Sequence, residues 1–402
     1  VDHIEIVSER EFVIHTRSDP TIQLVLLEYM SILPAHYWSG KDPTKPTLIP
    51  PLSSGPYRIA AVKKGRMIRY ERVPNYWGRN LAVNRGRFNF DTIHYDVYRD
   101  ATIAREALRK GLFDMWTESD LRHWVSSYDI PARDRGWLVL DSSIAGPERG
   151  SRLHLVLNTL RQPFDDPRVR EALAHALDFE WQNRSLHSGE MSRSNSYFEN
   201  TVFSASGIPT GAELALLEPF RDQLPARLFS EAFAFDTTDG VGVNRTGLLK
   251  AMSLLDEAGW HVQENVLINA RGEPFTIEFL SSSSGDQRVL LPYANALSTL
   301  GISANIRLID SVQYHNRLRA REFDSTLYEG NMGVPPGYEL NRFHSKSINQ
   351  AYPYNIAGIR HPAVDSLVDA AMDASTLDEM VNACRALDRV LLWGYYQIPL
   401  DA

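Results

Sequence analysis

Hydrophobic and polar positions alternate along several short segments of the chain, a pattern typical of strands with one buried face. Ile4 and Ile6 flank Glu5, so residues 3–17 are predicted to form one or two strands. Residues 57–62 and 67–73 follow the same pattern, and the polar turn between them predicts a hairpin. The other predicted strands are residues 90–98, 275–279, 302–308, 323–328 and 395–400.

Longer segments repeat their apolar residues every three or four positions, as amphipathic helices do. Asp100 is a suitable N-cap for one such helix, Gly111 suits its left-handed end, and Phe113 is predicted to start a strand after it. The buried face predicted for this helix consists of Ile103, Ala104, Ala107 and Leu108. The remaining predicted helices are residues 23–32, 248–258, 286–299, 312–321 and 377–393.

A further helix is indicated by the run Asp165-Asp166-Pro167. Acidic residues satisfy free amides at a helix N-terminus, and proline fits its first turn. The capping role is favoured over a catalytic pair of carboxylates because it also explains the apolar stripe that follows. That stripe, the predicted buried face, is Val169, Ala172, Leu173, Ala176 and Leu177. His175, within this helix, is expected to be satisfied and partly buried.

Helices and strands alternate along the chain, which predicts an α/β fold with mixed sheets covered by helices. A change to Ser- and Gly-rich composition near residues 141–152 predicts a domain boundary. We therefore expect a first lobe at residues 1–148 and a second lobe at residues 149–394. Residues 395–402 would be a strand that returns toward the first lobe, and the Ser-rich residues 186–207 would be a surface excursion.

Composition narrows the function classes. The chain has 402 residues, more than a single core usually holds, and its net charge of −8 argues against nucleic-acid binding. The single cysteine, Cys384, excludes an intrachain disulfide framework and lies on an apolar stripe that predicts burial. The closest histidine pairs are twelve residues apart, which does not fit a metal-binding helix.

The chain has no P-loop, dinucleotide fingerprint, nucleophile elbow or metalloprotease helix. We therefore predict no catalytic residue, no metal and no cofactor, and a hydrolase built from scattered carboxylates is disfavoured. The serines at residues 281–284 follow a predicted strand and could hold an anion. A solvated loop is the favoured interpretation of these serines.

Two clusters of aromatic and charged residues follow predicted strands, where ligand crevices form in open α/β sheets. Carboxylates there could hold an ammonium group, and aromatic rings could cover apolar side chains. From the residues alone, an ordinary loop surface is slightly favoured for each. The first cluster is Trp116, Glu118, Asp120 and Trp124, and the second is Tyr328, Asn331, Tyr338, Glu339 and Arg342.

Several motifs, in their order along the chain, resemble the extracellular solute-binding protein family 5, the peptide and nickel receptors of ABC importers. They are SSGPYRI, NYWG, RDATIAREALRKGLFDM, LVLNTLRQPFDDPRVREALAHALD and YNIAGIRHPAVDSLVDAAM. Within that family, these motifs resemble those of the YejA-like oligopeptide branch. The resemblance implies a periplasmic binding protein-like type II fold, whose two lobes close over an extended peptide held by main-chain hydrogen bonds. The chain resembles the back two-thirds of such a receptor and looks truncated at both ends.

The resemblance also implies roles. It makes the protein a monomeric, non-enzymatic receptor in a Gram-negative periplasm that passes oligopeptides to an ABC permease and ATPase complex. Glu339 would hold the peptide's amino terminus, with Asn331 and Tyr338 nearby, while Trp116 and Glu118 would line the facing lobe. The alternatives are a receptor for a modified peptide antibiotic or an opine-like metabolite, and a non-transporting remnant or holdase.

Overall fold

The computed structural model describes residues 2–15, 32–43, 45, 47–118, 121–141, 153–187, 189, 191–330, 336–350 and 355–400. The chain groups into two compact units. The small unit contains residues 28–139, and the large unit contains residues 1–27 and 140–402. The helix predicted at residues 23–32 lies almost wholly outside the described residues.

The strands predicted near the start of the chain form an antiparallel hairpin, β1 (His3–Ser8) and β2 (Glu11–His15). Ile4 pairs with Ile14 across it. Among the described strands, neither of these two pairs with a third. The hairpin consequently leaves apolar side chains in solvent, and Ile6 is 81% exposed.

The small unit contains an antiparallel sheet in the order β3 (Tyr57–Lys63), β4 (Met67–Arg72) and β5 (Thr92–Asp96). Gly65 has a φ of +67°, which suits the tight turn between the first two strands and confirms the predicted hairpin. The helices of this unit are α1 (Ala35–Trp38), α2 (Ala101–Arg109), α3 (Leu121–Ser126) and α4 (Pro131–Asp134).

Helix α2 confirms most of its predicted pattern. The Asp100 side chain accepts a hydrogen bond from the Ile103 amide at 3.0 Å, and Gly111 has a φ of +66°. Ala104 and Ala107 are buried, but Ile103 is 46% exposed, so its assignment to the buried face is wrong. The strand predicted to start at Phe113 is also wrong. Instead, the Phe113 ring packs between Tyr98 and Trp116.

The strands of the large unit are β6 (Leu153–Leu157), β7 (His261–Gln263), β8 (Val266–Ile268), β9 (Thr276–Ser281), β10 (Ser303–Leu308), β11 (Ser325–Glu329) and β12 (Gln397–Pro399). Five of them form a sheet in the order β10-β9-β11-β6-β12, and β7 and β8 form a separate hairpin. Strands β9, β10 and β11 run parallel, and β6 runs antiparallel to its neighbours β11 and β12. The mixed sheet was expected from the sequence.

Helices cover both faces of this sheet, because successive side chains of its buried strands enter two separate cores. Val156 and Leu280 lie in one core, whereas Leu155, Leu157 and Phe279 lie in the other. The helices are α5 (Pro167–His175), α6 (Phe179–His187), α7 (Gly211–Leu217), α8 (Arg227–Ser230), α9 (Arg245–Glu257), α10 (Gln287–Ser298), α11 (Ser311–Ala320), α12 (Pro362–Met372) and α13 (Leu377–Trp393). In the described part of the chain, no helix combines the length and apolar character needed to cross a membrane.

Helix α5 forms as its sequence predicts. The Asp166 carboxylate accepts a hydrogen bond from the Arg168 amide at 2.9 Å, and Pro167 occupies the first helical position. The predicted apolar face is buried. His175 lies 3.0 Å from Asp236 and 3.7 Å from Glu171, which confirms that it is satisfied and partly buried.

Helix α13 has the predicted bounds. Cys384 is fully buried there, and burial raises the pKa of its thiol to about 12, so the predicted packing role is confirmed. The strand expected at residues 395–400 forms as β12 and pairs with β6 in the large unit. The division of the chain at residue 148 stays a prediction.

Two buried ionisable residues of α13, Asp388 and Arg389, hold residues 194–207 against the rest of the large unit. Asp388 accepts hydrogen bonds from the Ser196 hydroxyl and from the amides of Tyr197 and Ala205, at 2.7, 2.8 and 2.9 Å. Arg389 pairs with Glu213 and donates to the carbonyls of Gly207 and Ser206. The prediction that residues 186–207 form a surface excursion is wrong for this part, since its apolar side chains Tyr197, Phe198 and Phe203 are buried.

Candidate ligand-binding site

The parallel strands β9, β10 and β11 end at the same edge of the large-unit sheet, which we call the carboxyl edge. Ligands of open α/β sheets bind outside the carboxyl ends of strands, because the connecting loops there leave backbone groups and side chains free to contact them. The carboxyl edge is therefore the candidate binding site of the large unit. The loops that begin there start at Ser282, Ile309 and Gly330.

The second sequence cluster lies at the end of β11. A side-chain carbon on Gly330 would lie 2.6 Å from the Tyr328 ring and 3.0 Å from the Arg342 guanidinium, so both side chains close over this glycine. Arg342 also donates from Nε to the Glu339 carbonyl at 3.1 Å. The structure thus brings Tyr328, Arg342 and the backbone of Glu339 together at the end of β11.

The structure describes Tyr338 only by its backbone and does not describe Asn331. Asn331 lies outside the described residues. Tyr338 begins a short 3₁₀ turn, Tyr338–Arg342, which carries Glu339 and Arg342. Glu339 itself is half-buried, and its negative charge is one of the causes that raise the pKa of Cys384. The ligand roles of Asn331, Tyr338 and Glu339 stay predictions.

An additional carboxylate at the carboxyl edge was not selected from the sequence. Asp286, at the start of α10, accepts a hydrogen bond from the Ser281 hydroxyl at the end of β9, at 2.7 Å. Burial raises the pKa of Asp286. The available signal was an acidic residue at the start of the predicted helix 286–299, in the connection that follows a predicted strand. This carboxylate adjoins the serines of residues 281–284 and disfavours an anion there. Residues 282–284 are exposed, as in a solvated loop, whereas Ser281 is buried at the end of β9.

The first sequence cluster is held together inside the small unit. The Glu118 carboxylate accepts hydrogen bonds from Arg105 Nε at 2.7 Å, from the Tyr128 hydroxyl at 2.7 Å and from Trp116 Nε1 at 3.4 Å. The Glu118 side chain is 3% exposed. Burial, assisted by the neighbouring carboxylate, raises the pKa of Tyr128 to about 12 and keeps its hydroxyl a donor. Asp120 lies outside the described residues, and Trp124 is half-buried in α3.

Through these contacts, Glu118 holds Arg105, Trp116 and Tyr128 together. Its ligand role stays a prediction. We expect Glu118→Gln to lower the free energy of unfolding of the small unit by about 2 kcal/mol, because the buried Arg105 guanidinium loses its counter-charge. Chemical denaturation, with hydrogen exchange of the α2 amides as a local probe, measures this loss. The control Glu106→Gln removes an exposed partner of Arg109 and should change stability by less than about 0.5 kcal/mol. Unchanged stability with weakened ligand binding would instead support a ligand role for Glu118.

The chain matches the model of bacterial extracellular solute-binding proteins, family 5 Middle, over residues 1–350. It is 38% identical to YejA of Escherichia coli, over 92% of this chain and 61% of that protein. It is also 38% identical to the probable peptide-binding protein YejA of Agrobacterium fabrum, over 92% of this chain and 62% of that protein. The chain therefore spans about three-fifths of the length of these relatives.

Among solved structures, the chain is similar to the oligopeptide-binding protein AppA from Bacillus subtilis, in complex with a nonapeptide. The TM-score is 0.74 at 16% identity, over 100% of this chain and 72% of that chain. This likeness confirms the predicted fold class, an α/β fold of the periplasmic binding protein type. The carboxyl edge, the motif order and the family match lead to one conclusion: the chain belongs to the bacterial extracellular solute-binding proteins of family 5.

Proposed function

We propose that this chain is the ligand-binding part of the substrate-binding component of an ABC importer. It would capture oligopeptides in the periplasm and deliver them to a membrane permease driven by an ATPase, without carrying out a reaction. The observation that carries the proposal is that Tyr328, Arg342 and the backbone of Glu339 lie together at the carboxyl edge of a family 5 sheet. The name of the Agrobacterium fabrum relative supports a peptide as the ligand.

The chemistry of this edge suits the amino-terminal part of an extended peptide. A carboxylate at Glu339 pairs with the peptide ammonium, and such charge-assisted hydrogen bonds are about twice as strong as neutral ones. The Tyr328 ring offers an apolar face to a neighbouring side chain and a hydroxyl for a polar contact. Main-chain hydrogen bonds to an extended peptide would add affinity while tolerating many side chains.

We expect Glu339→Gln to weaken the binding of peptides with a free amino terminus by about tenfold, which corresponds to about 1.4 kcal/mol. The amide keeps the shape of the side chain but removes the charge that the ammonium contacts. Isothermal titration with a peptide first selected from a pool of di- to octapeptides measures this change. Mass spectrometry of the ligand that co-purifies with the protein separates peptides from opine-like or modified-peptide cargo.

The matched control is Glu273→Gln. Glu273 is an exposed glutamate that pairs with Arg271 and precedes β9, at the opposite edge of the same sheet. This substitution should leave peptide affinity unchanged. Equal weakening by both substitutions, or no binding of any peptide in the pool, would contradict the proposal.

A further inference from the structure

A cavity of about 750 Å³ lies within the large unit, away from the carboxyl edge. Because β6 runs antiparallel to β11, the loop that follows β6 lies at the opposite edge of the sheet. That loop supplies Thr159 and Leu160 to the cavity wall, and α5 supplies Arg170. We call this space the Arg170 cavity. Its volume is in the range of small-molecule sites, which is roughly 300–1,000 Å³.

Arg170 is 5% exposed and is fixed from three sides. Its Nε donates to the Gly394 carbonyl at 2.7 Å, and its Nη1 donates to the carbonyls of Phe164 and Asp165 at 2.8 and 2.9 Å. The Tyr396 ring covers the guanidinium, with 4.8 Å between the central carbon and the ring centroid. The guanidinium is therefore held rigidly, without the entropy cost that a mobile surface arginine has on binding.

The remaining nitrogen of this guanidinium is available to a ligand. Nη2 donates no hydrogen bond to any residue that the structure describes, and it is not among the nitrogens sealed from solvent. Since Arg170 lines the cavity and is otherwise buried, the accessible nitrogen faces this space. A charged N–H donor at a partly enclosed site selects an anionic oxygen, and a guanidinium fits a carboxylate well.

The other residues that line the cavity indicate the chemical character of the rest of the ligand. Leu224, Val390 and Trp393 are buried apolar side chains that line the cavity. His361 accepts a hydrogen bond from the Ala363 amide, and burial lowers its pKa, so the imidazole is neutral at pH 7 and adds no charge. Such walls suit an apolar or aromatic body.

Three exposed charged residues also line the cavity: Asp165, beside the Arg170 guanidinium, and the pair Arg360 and Asp222. Arg360 and Asp222 have opposite charges, so reversing them should have opposite effects on an anionic ligand. Because both side chains are exposed, neither substitution disturbs the core. They therefore provide a test of the ligand's charge that leaves the buried Arg170 in place.

We propose that the Arg170 cavity is a second ligand site, which binds a small amphipathic carboxylate independently of the peptide at the carboxyl edge. The carboxylate accepts a hydrogen bond from Arg170 Nη2, and the apolar body packs against Leu224 and Trp393. This site goes beyond the proposed function, because it lies at the opposite edge of the sheet and recognises a different chemical class.

The probe is 3-phenylpropionate, with the neutral 3-phenylpropionamide as its isosteric partner, and binding is measured by saturation-transfer NMR and titration calorimetry. We expect the carboxylate to bind at least about tenfold more tightly than the amide. Arg360→Glu should weaken carboxylate binding by about threefold or more, and Asp222→Lys should strengthen it by a similar factor. Arg245→Glu, an exposed charge reversal at the start of α9, should leave it unchanged.

The outcomes separate clearly because none of these three substitutions touches a buried residue. Opposite shifts for Arg360→Glu and Asp222→Lys, together with discrimination against the amide, support the site. Equal affinity of acid and amide, the same affinity in all three variants, or no binding at about 10 mM probe would overturn it. Peptide titrations on the same variants should be unaltered, which keeps this result distinct from a failure of the peptide proposal.

Discussion

Replacing Arg389 by methionine is expected to lower the free energy of unfolding by about 3–5 kcal/mol, because it leaves a carboxylate buried without its counter-charge. The Arg389 side chain is 2% exposed, and that of its partner Glu213 is 10% exposed. The substitution also leaves the carbonyls of Ser206 and Gly207 without their donor. Equilibrium denaturation by urea, extrapolated to water, measures the loss.

Two further variants test the electrostatic cause of this effect. The double variant Arg389→Met with Glu213→Leu should recover a large part of the loss, since an apolar pair can replace a buried ion pair at little cost. Arg385→Met, one turn earlier on α13, removes a side chain that donates to the Val202 carbonyl, and should cost less than about 1 kcal/mol. A double variant as unstable as Arg389→Met alone would show that packing, not charge, dominates.

The neighbouring Asp388 is expected to make stability depend on pH. Burial raises its pKa from 3.8 to about 7, despite the three donors that face it. The folded protein therefore holds a proton that the unfolded chain releases above pH 3.8, and this stabilisation is lost as the pH rises through about 7. From pH 5 to pH 8, this group should lower the free energy of unfolding by about 2–3 kcal/mol.

Asp388→Asn isolates this contribution, because asparagine does not titrate. The relevant quantity is the free energy of unfolding of the original protein minus that of the variant, measured by urea denaturation at pH 5, 6, 7 and 8. We expect this difference to fall from pH 5 to about pH 7 and to level off by pH 8, whatever its value at pH 5. A difference that is constant across this range would show that Asp388 is already ionised in the folded protein at pH 5, and a difference that rises with pH would also contradict the expectation.

Elements with strong local signals could be predicted from the sequence. The stripe from Val169 to Leu177 and the cap at Asp166 specify α5 without tertiary contacts, and α13 has the predicted bounds for the same reason. The expected strand at Phe113 was wrong because a strand needs a hydrogen-bonding partner, which a local pattern does not supply. Phe113 satisfies its apolar character by packing with aromatic neighbours.

The segment of residues 194–207 could not be assigned from composition. Serine and asparagine are usually exposed, so a surface excursion was the natural expectation. Its burial depends on Asp388 and Arg389, which lie almost 200 positions further along the chain. Contacts between residues so far apart in the sequence produce no periodic pattern of apolar residues. In addition, Asp388 and Arg389 are residue types that usually lie on an exposed helix face.

The candidate site was predictable as a location more than as a set of residues. The end of β11 was singled out because loops after parallel strands share one edge, and its ligand role stays a prediction. Tyr328 and Arg342 meet there over Gly330, but Asp286 was missed because its proximity to this edge depends on the pairing of β9 with β11. Glu118 was predicted from the sequence to contact the ligand, but in the structure its carboxylate pairs with Arg105 inside the small unit. That partner could not be identified from a local pattern.

The central claim is that Glu339 recognises the free amino terminus of an oligopeptide, and a thermodynamic cycle tests it most directly. One peptide is titrated with a free and with an acetylated amino terminus, against the original protein and against Glu339→Gln. The claim predicts that acetylation weakens binding to the original protein by about tenfold or more, but weakens binding to the variant by less than about twofold. An equal effect of acetylation on both proteins would contradict the claim.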